Sequence, residues 1–158
     1  MTFQIHALDP SPFEALSQLE PRELHRRRAV WIEADSAPGY PCRVTLEDAR
    51  VGTRLLLFNF EHQPVNTPFR SSHAIYVNPL AKQALLQPGT VPPSFTSRLI
   101  SWRAFGNDGM MVDADAVDGS QLKAVLTRAF EQEYVAYIHL HYAGAGCYAA
   151  RVTRASNQ

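Results

Sequence analysis

Tyr137-Ile138-His139-Leu140-His141-Tyr142, Ala143-Gly144-Ala145-Gly146 and Cys147-Tyr148-Ala149-Ala150-Arg151-Val152 follow one another near the end of the chain. Two runs rich in aromatic and β-branched residues flank a glycine-containing turn, which predicts a hairpin from Tyr134 to Tyr142 and Cys147 to Arg154. Strands joined by short loops like this one pair antiparallel. Histidines inside it are costly unless they are paired or used.

The remaining elements agree with that frame. Arg54 to Phe60 holds a continuous apolar run, Leu55 to Phe58, and reads as a strand covered on both faces. Ser72 to Val77 follows it, with His73, Ile75 and Val77 on one face. Arg98 to Phe105 and Met110 to Val117 pair around Gly106-Asn107-Asp108-Gly109. Ala29 to Ala34 is a further strand. Gly119 to Glu133 is the best helix, capped by Asp118 or Ser120. Its Leu122, Val125, Leu126, Ala129 and Phe130 form one apolar stripe. Short N-terminal helices start near Pro12 and Pro21. Leu46-Glu47-Asp48-Ala49 suggests a single helical turn, and Leu80 to Leu86 a brief helix. The class expected is α+β: a single domain over residues 1–158, mostly antiparallel sheet, with an amphipathic helix in the C-terminal half and short N-terminal helices.

Bulk properties exclude little else. The chain has 158 residues, enough for one core, and 46% are hydrophobic against 19% charged. Fifteen basic residues balance fifteen acidic ones, so no global charge favours nucleic acid or a membrane surface. Trp31, Trp102 and the tyrosines do not interleave with a basic stripe. The run Arg22 to Arg28 reads as a solvated helix end. Met1 to His6 carries no leader pattern, and no apolar stretch reaches the ~20 residues of a membrane span, so a cytoplasmic location is expected. Cys42 and Cys147 are expected to be reduced thiols.

Chemistry-bearing residues collect in a few places. His139 and His141 lie two apart on a strand, on one face and about 7 Å apart along the chain, and can ligate one metal, zinc or iron. His62 or His73 would complete such a site. No HExxH or CxxC spacing accompanies it, and the same histidines could simply form a sheet face. Arg70-Ser71-Ser72 offers a guanidinium and hydroxyls to a small anion, unless Arg70 pairs with Glu61. Glu61 and Arg43 are further ligand-binding candidates. His62, His73 and Cys147 are candidate catalytic groups, since a reactive thiol needs a histidine base. Cys42, beside Arg43, is better read as a core thiol. Asp113 and Asp115 share a strand face that suits a hard cation or, more plainly, a solvated edge. No phosphate loop, dinucleotide fingerprint or GxSxG elbow is present.

Pro38-Gly39-Tyr40-Pro41-Cys42-Arg43, Glu61-His62-Gln63, Arg70-Ser71-Ser72-His73-Ala74-Ile75 and Gly146-Cys147-Tyr148-Ala149-Ala150-Arg151-Val152 occur in this order. Together they resemble the bacterial family catalogued as domain of unknown function 1203, across nearly the whole chain. The resemblance implies a bacterial, intracellular, single-domain protein and brings no reaction with it. Two functions from different classes remain. One is a small-molecule enzyme or binding domain, with an anionic ligand in a His/Arg/Cys-lined pocket. The other is a non-catalytic protein-interaction module in which these residues are structural.

Overall fold

The computed structural model describes residues 2–155; Met1, part of the leader reading, and residues 156–158 lie outside the described residues. The class is α+β, with two five-stranded sheets and short helices. In chain order the elements are β1 (Phe3–His6), α1 (Ser11–Ser17), α2 (Pro21–Arg26), β2 (Ala29–Glu33), β3 (Pro41–Cys42), β4 (Glu47–Asp48), β5 (Arg54–Gln63) and β6 (Ser71–Val77). They continue as α3 (Pro93–Thr96), β7 (Leu99–Phe105), β8 (Met111–Asp118), a 3-10 turn (Gly119–Gln121), α4 (Leu122–Ala129), β9 (Tyr137–Tyr142) and β10 (Tyr148–Arg154). The first sheet runs β1-β10-β9-β7-β8 and the second β2-β5-β6-β3-β4. Pairing is antiparallel except between β3 and β6. No helix of the described residues is long and apolar enough to cross a membrane.

Alternation along β7 and β9 assigns the two faces of the first sheet. Ile100, Trp102, Ala104, Ile138 and Leu140 form a core with Leu122, Leu126 and Phe130 from α4 and the residue after it. Arg103, Phe105, Tyr137, His139 and His141 therefore occupy the opposite face, which meets the second sheet. Every residue of β9 is buried, because both faces are covered. Contacts across the layers are polar as well as apolar. Gln63 donates to the Tyr137 hydroxyl at 2.7 Å, and the Phe60 and Tyr148 rings lie 5.8 Å apart. The second sheet packs Leu55, Leu56, Phe58, Ile75 and Val77 against Phe13 of α1 and Leu24 of α2.

The helix expected from Gly119 to Glu133 is a 3-10 turn to Gln121 and an α-helix only over Leu122–Ala129, and three further elements depart from the sequence reading. The helical turn expected at Leu46–Ala49 is a short strand, β4, paired with β3. Leu46 sits at φ 56°, which a right-handed helix does not allow, and Asp48 is held by Arg98 through two bonds of 2.6 and 2.8 Å. The segment Leu80 to Leu86 is irregular. Its polar groups are engaged elsewhere: the Ala84 N–H donates to Val44 O, and Leu86 O accepts from Gln4. Leu80 and Leu85 are both exposed, so no apolar stripe supports a helix there. Phe3–His6 is a strand on the edge of the first sheet, announced only by Phe3 and Ile5 alternating with polar neighbours.

The Arg98–Asp48 pair joins β4 of the second sheet to the start of β7 in the first. Its two parallel bonds are largely screened from solvent. Asp48→Asn is expected to cost about 1.5–3 kcal/mol in urea unfolding, the range for bonds to charged groups. A loss below about 0.5 kcal/mol would place the pair among surface ion pairs that contribute little.

Candidate metal centre

The site is built on the second half of β5, on β6 and on β9. β5 extends three residues beyond the strand expected at Arg54 to Phe60, which carries His62 and Gln63 into the sheet. His62 lies on the inner face and the exposed Glu61 on the outer one. Phe60 pairs with His73 across the β5–β6 ladder, so His73 falls diagonally beside His62. His141 pairs with Tyr148 and with Ser101.

Three histidines converge: the ligand atoms of His62, His73 and His141 all lie within 4.8 Å of one another. His62 and His141 are buried and His73 is half-buried. His62 Nε2 and His73 Nδ1 share a hydrogen bond of 2.7 Å. His62 Nδ1 is 3.3 Å from His139 Nδ1. The His62 ring lies between those of Tyr148 and His73, nearly parallel to both, with centroids 4.9 and 4.8 Å away. His141 Nδ1 donates to Gly146 O at 2.9 Å, which leaves Nε2 as the lone-pair nitrogen. That Nε2 is buried and has no hydrogen-bond partner.

All of these imidazoles are held neutral. Burial, with the His73 and Arg103 charges, pushes His62 down to about 4. Burial and Arg103 push His141 down to about 3, against a smaller upward pull from Gly146. Burial, then His62 and Arg151, hold His139 at about 2. His73 is lowered by burial and then by Arg103 and Arg43. Neutral imidazole is the form that ligates metal, so no proton has to leave first.

The structure redistributes the expected site residues. Of the expected metal pair, His141 joins the trio. His139 stands behind His62, where it can orient the ring. His139 and His141 share a strand face, but their ring centroids are 6.4 Å apart. Arg70 and Glu61 form an exposed 2.6 Å ion pair on the outer side, away from the histidines. Ser72 is exposed on that outer face, and Ser71 is half-buried opposite Gln63. Arg43 is 1% exposed and consumed by the fold: it donates to Tyr148 O, Pro41 O and Cys147 Sγ at 2.8, 2.6 and 3.1 Å. Cys147 is thus held by a guanidinium and makes no bond to a histidine among the described residues. Cys42 is buried and accepts from the Asn78 N–H at 3.3 Å; both thiols are free. Asp113 and Asp115 each accept from the next backbone N–H and gather no third ligand.

One residue facing the histidines escaped the sequence reading. Arg103 pairs with His139 across β7 and β9 and shares the histidine face of the sheet. It makes no hydrogen bond or ion pair among the described residues. Its charge nevertheless acts on all four histidines. The signal available was a lone cation inside a strand whose other residues, Ser101 apart, are apolar.

Fold and site together define an α+β protein with a histidine cluster between two sheets. The chain belongs to the family described as Protein of unknown function (DUF1203), whose model matches residues 39–154. That span contains all three converging histidines and Arg103. No curated protein and no solved structure matches the chain.

Proposed function

We propose that this is a metal-binding protein in which His62, His73 and His141 hold one divalent first-row ion, zinc or iron, with a small anion as the remaining ligand. The observation that carries the reading is His141. Its Nδ1 is fixed on Gly146 O, and its Nε2 is a buried lone pair with no partner beside two further imidazoles. A backbone carbonyl on the outer nitrogen is the usual way a metal-ligating histidine is oriented. A tetrahedral ion with bonds of ~2.0–2.1 Å keeps its ligand atoms about 3.3 Å apart, so the His62–His73 contact need open by only roughly half an ångström.

Charge supports the anion. Three neutral imidazoles leave a dication uncompensated, and Arg103 adds a further positive charge. A carboxylate, phosphate or hydroxide on the ion would offset part of that charge. This moves the anion from the expected Arg70 to Arg103. Whether chemistry follows binding depends on that fourth position, which a catalytic site keeps open.

Elemental analysis of purified protein should find close to one zinc or iron per chain. Titration of the EDTA-treated protein with zinc should raise the melting temperature, and His73→Ala, at the half-exposed ligand, should abolish the rise. A metal-free isolate whose melting temperature ignores zinc would sink the reading and leave the histidines structural, as an interaction module requires.

A further inference from the structure

The turn between β9 and β10 sets Cys147 against a guanidinium that carries no counter-charge. Arg43 is 1% exposed. Its Nε and Nη1 donate to the carbonyls of Tyr148 and Pro41 at 2.8 and 2.6 Å, and its Nη2 reaches only Cys147 Sγ, at 3.1 Å. Carbonyls fill hydrogen-bond positions, but they do not balance a full positive charge removed from water.

The surroundings of Arg43 leave one source of negative charge. No carboxylate lies within ion-pair distance of it among the described residues. Asp48, on the strand paired with β3, is engaged by Arg98. The Tyr142 ring lies 5.1 Å from the Arg43 guanidinium and 5.3 Å from that of Arg98, yet burial pushes its hydroxyl up to about 12. Burial pushes the Tyr148 hydroxyl up as well. The remaining ionisable group in contact is the Cys147 thiol. A nitrogen–sulfur separation of 3.1 Å is inside ordinary van der Waals contact, and charge-assisted bonds are the short ones.

Access favours the same residue. Cys147 is half-buried, whereas Cys42 is 3% exposed. The turn that precedes Cys147 is open: a Cβ added at Gly144 or Gly146 would meet nothing within 4 Å. A small reagent has room to approach along it.

We propose that Arg43 holds Cys147 as a thiolate and that hydrogen peroxide oxidises it there. The guanidinium takes the place of the histidine base that a neutral thiol would need. Sγ attacks one peroxide oxygen, an S–O bond forms and the O–O bond breaks. The sulfur is oxidised to a sulfenic acid, and the peroxide is reduced, with its second oxygen leaving as hydroxide. The site is independent of the metal centre, since neither residue is one of its ligands.

The test treats the whole protein with iodoacetamide at about pH 8 and at about pH 6.5, and follows each cysteine by mass spectrometry. An ordinary thiol loses roughly 25-fold in thiolate, and so in rate, over that interval. Cys147 is expected to lose less than about fivefold, and Cys42 to stay unreacted in the folded protein. Hydrogen peroxide followed by dimedone, which captures sulfenic acids, should label Cys147, and Cys147→Ser should remove the label. Arg43→Met should restore the steep pH dependence where circular dichroism shows it folded; if it does not fold, the comparison on the unaltered chain decides alone. A larger fall in rate at Cys147, a folded protein whose Cys147 takes neither reagent, or a dimedone label that survives Cys147→Ser would overturn the proposal.

Discussion

Metal-free protein taken from neutral pH down to about 4 is expected to unfold. The direction follows from the imidazoles. In the unfolded chain each titrates near 6.5, whereas in the fold burial holds His62 at about 4, His141 at about 3 and His139 at about 2. Between 6.5 and those values the unfolded chain binds more protons than the folded one. Stability is therefore complete above 6.5, falls as the pH drops through the window and stops falling only below the folded values. Each fully shifted group removes up to about 1.4 kcal/mol per pH unit. Discounted for coupling and for the solvent that reaches His62, the three still remove several kcal/mol. That is comparable with the whole stability of a domain, roughly 5–15 kcal/mol. Far-UV circular dichroism and urea midpoints across the window report it. A midpoint that does not move from 6.5 to 4 would mean that the histidines are solvated in the fold. Bound zinc should steepen the same transition, because protonation then also ejects the ion.

Gly119→Ala is expected to be the most damaging single methyl group in the chain. A Cβ at Gly119 would stand 1.8 Å from Phe95 O, 2.7 Å from Phe95 C and 2.8 Å from Arg98 O. All three are backbone atoms, so no side chain can swing aside. Gly119 also donates its N–H to Arg98 O at 2.8 Å, which clamps the start of the 3-10 turn against the end of α3. Relief requires moving Phe95, which is fully buried, or α4 with its Leu122 and Leu126. Overpacking of this kind costs roughly 3 kcal/mol or more. The melting temperature should drop by about 6–12 °C for a chain of this size. A change within the error of the measurement would show that α3 is free to shift. Metal binding should survive in whatever fraction remains folded, because β5, β6 and β9 do not include this contact.

The legible part of the fold was the part with a strong local period. The β7–β8 hairpin is fixed by its Gly106–Gly109 turn, and α4 by its apolar stripe with Asp118 accepting from the Ser120 N–H at 2.9 Å. The illegible parts were set by distant partners. Asp48 lies in a strand because Arg98, fifty positions away, holds it. Leu80 to Leu86 stays irregular because its backbone bonds Val44 and Gln4. The edge strand β1 exists only because β10 offers it a ladder.

The same division runs through the site. Histidines on apolar strands were visible as an anomaly, because burying imidazole without a use is unfavourable. Which of them meet was not visible. Neighbours on one strand, such as His139 and His141, look like the natural pair, yet His62 and His73 come from other strands and supply two of the three converging rings. Arg70 looked available until its outward direction and Glu61 were known. Arg43 ties together two of the stretches that identify the family, by bonding Cys147 and Tyr148 from beside Cys42.

By itself, then, the chain's pattern determined an α+β protein of antiparallel strands and concentrated its titratable groups on them, since periodicity and turn chemistry act over a few residues. The stacking of two sheets face to face decided which imidazoles share one nitrogen-lined point, and that Arg103 rather than Arg70 faces it. Those choices depend on register and strand order between segments up to eighty residues apart, which no local pattern encodes.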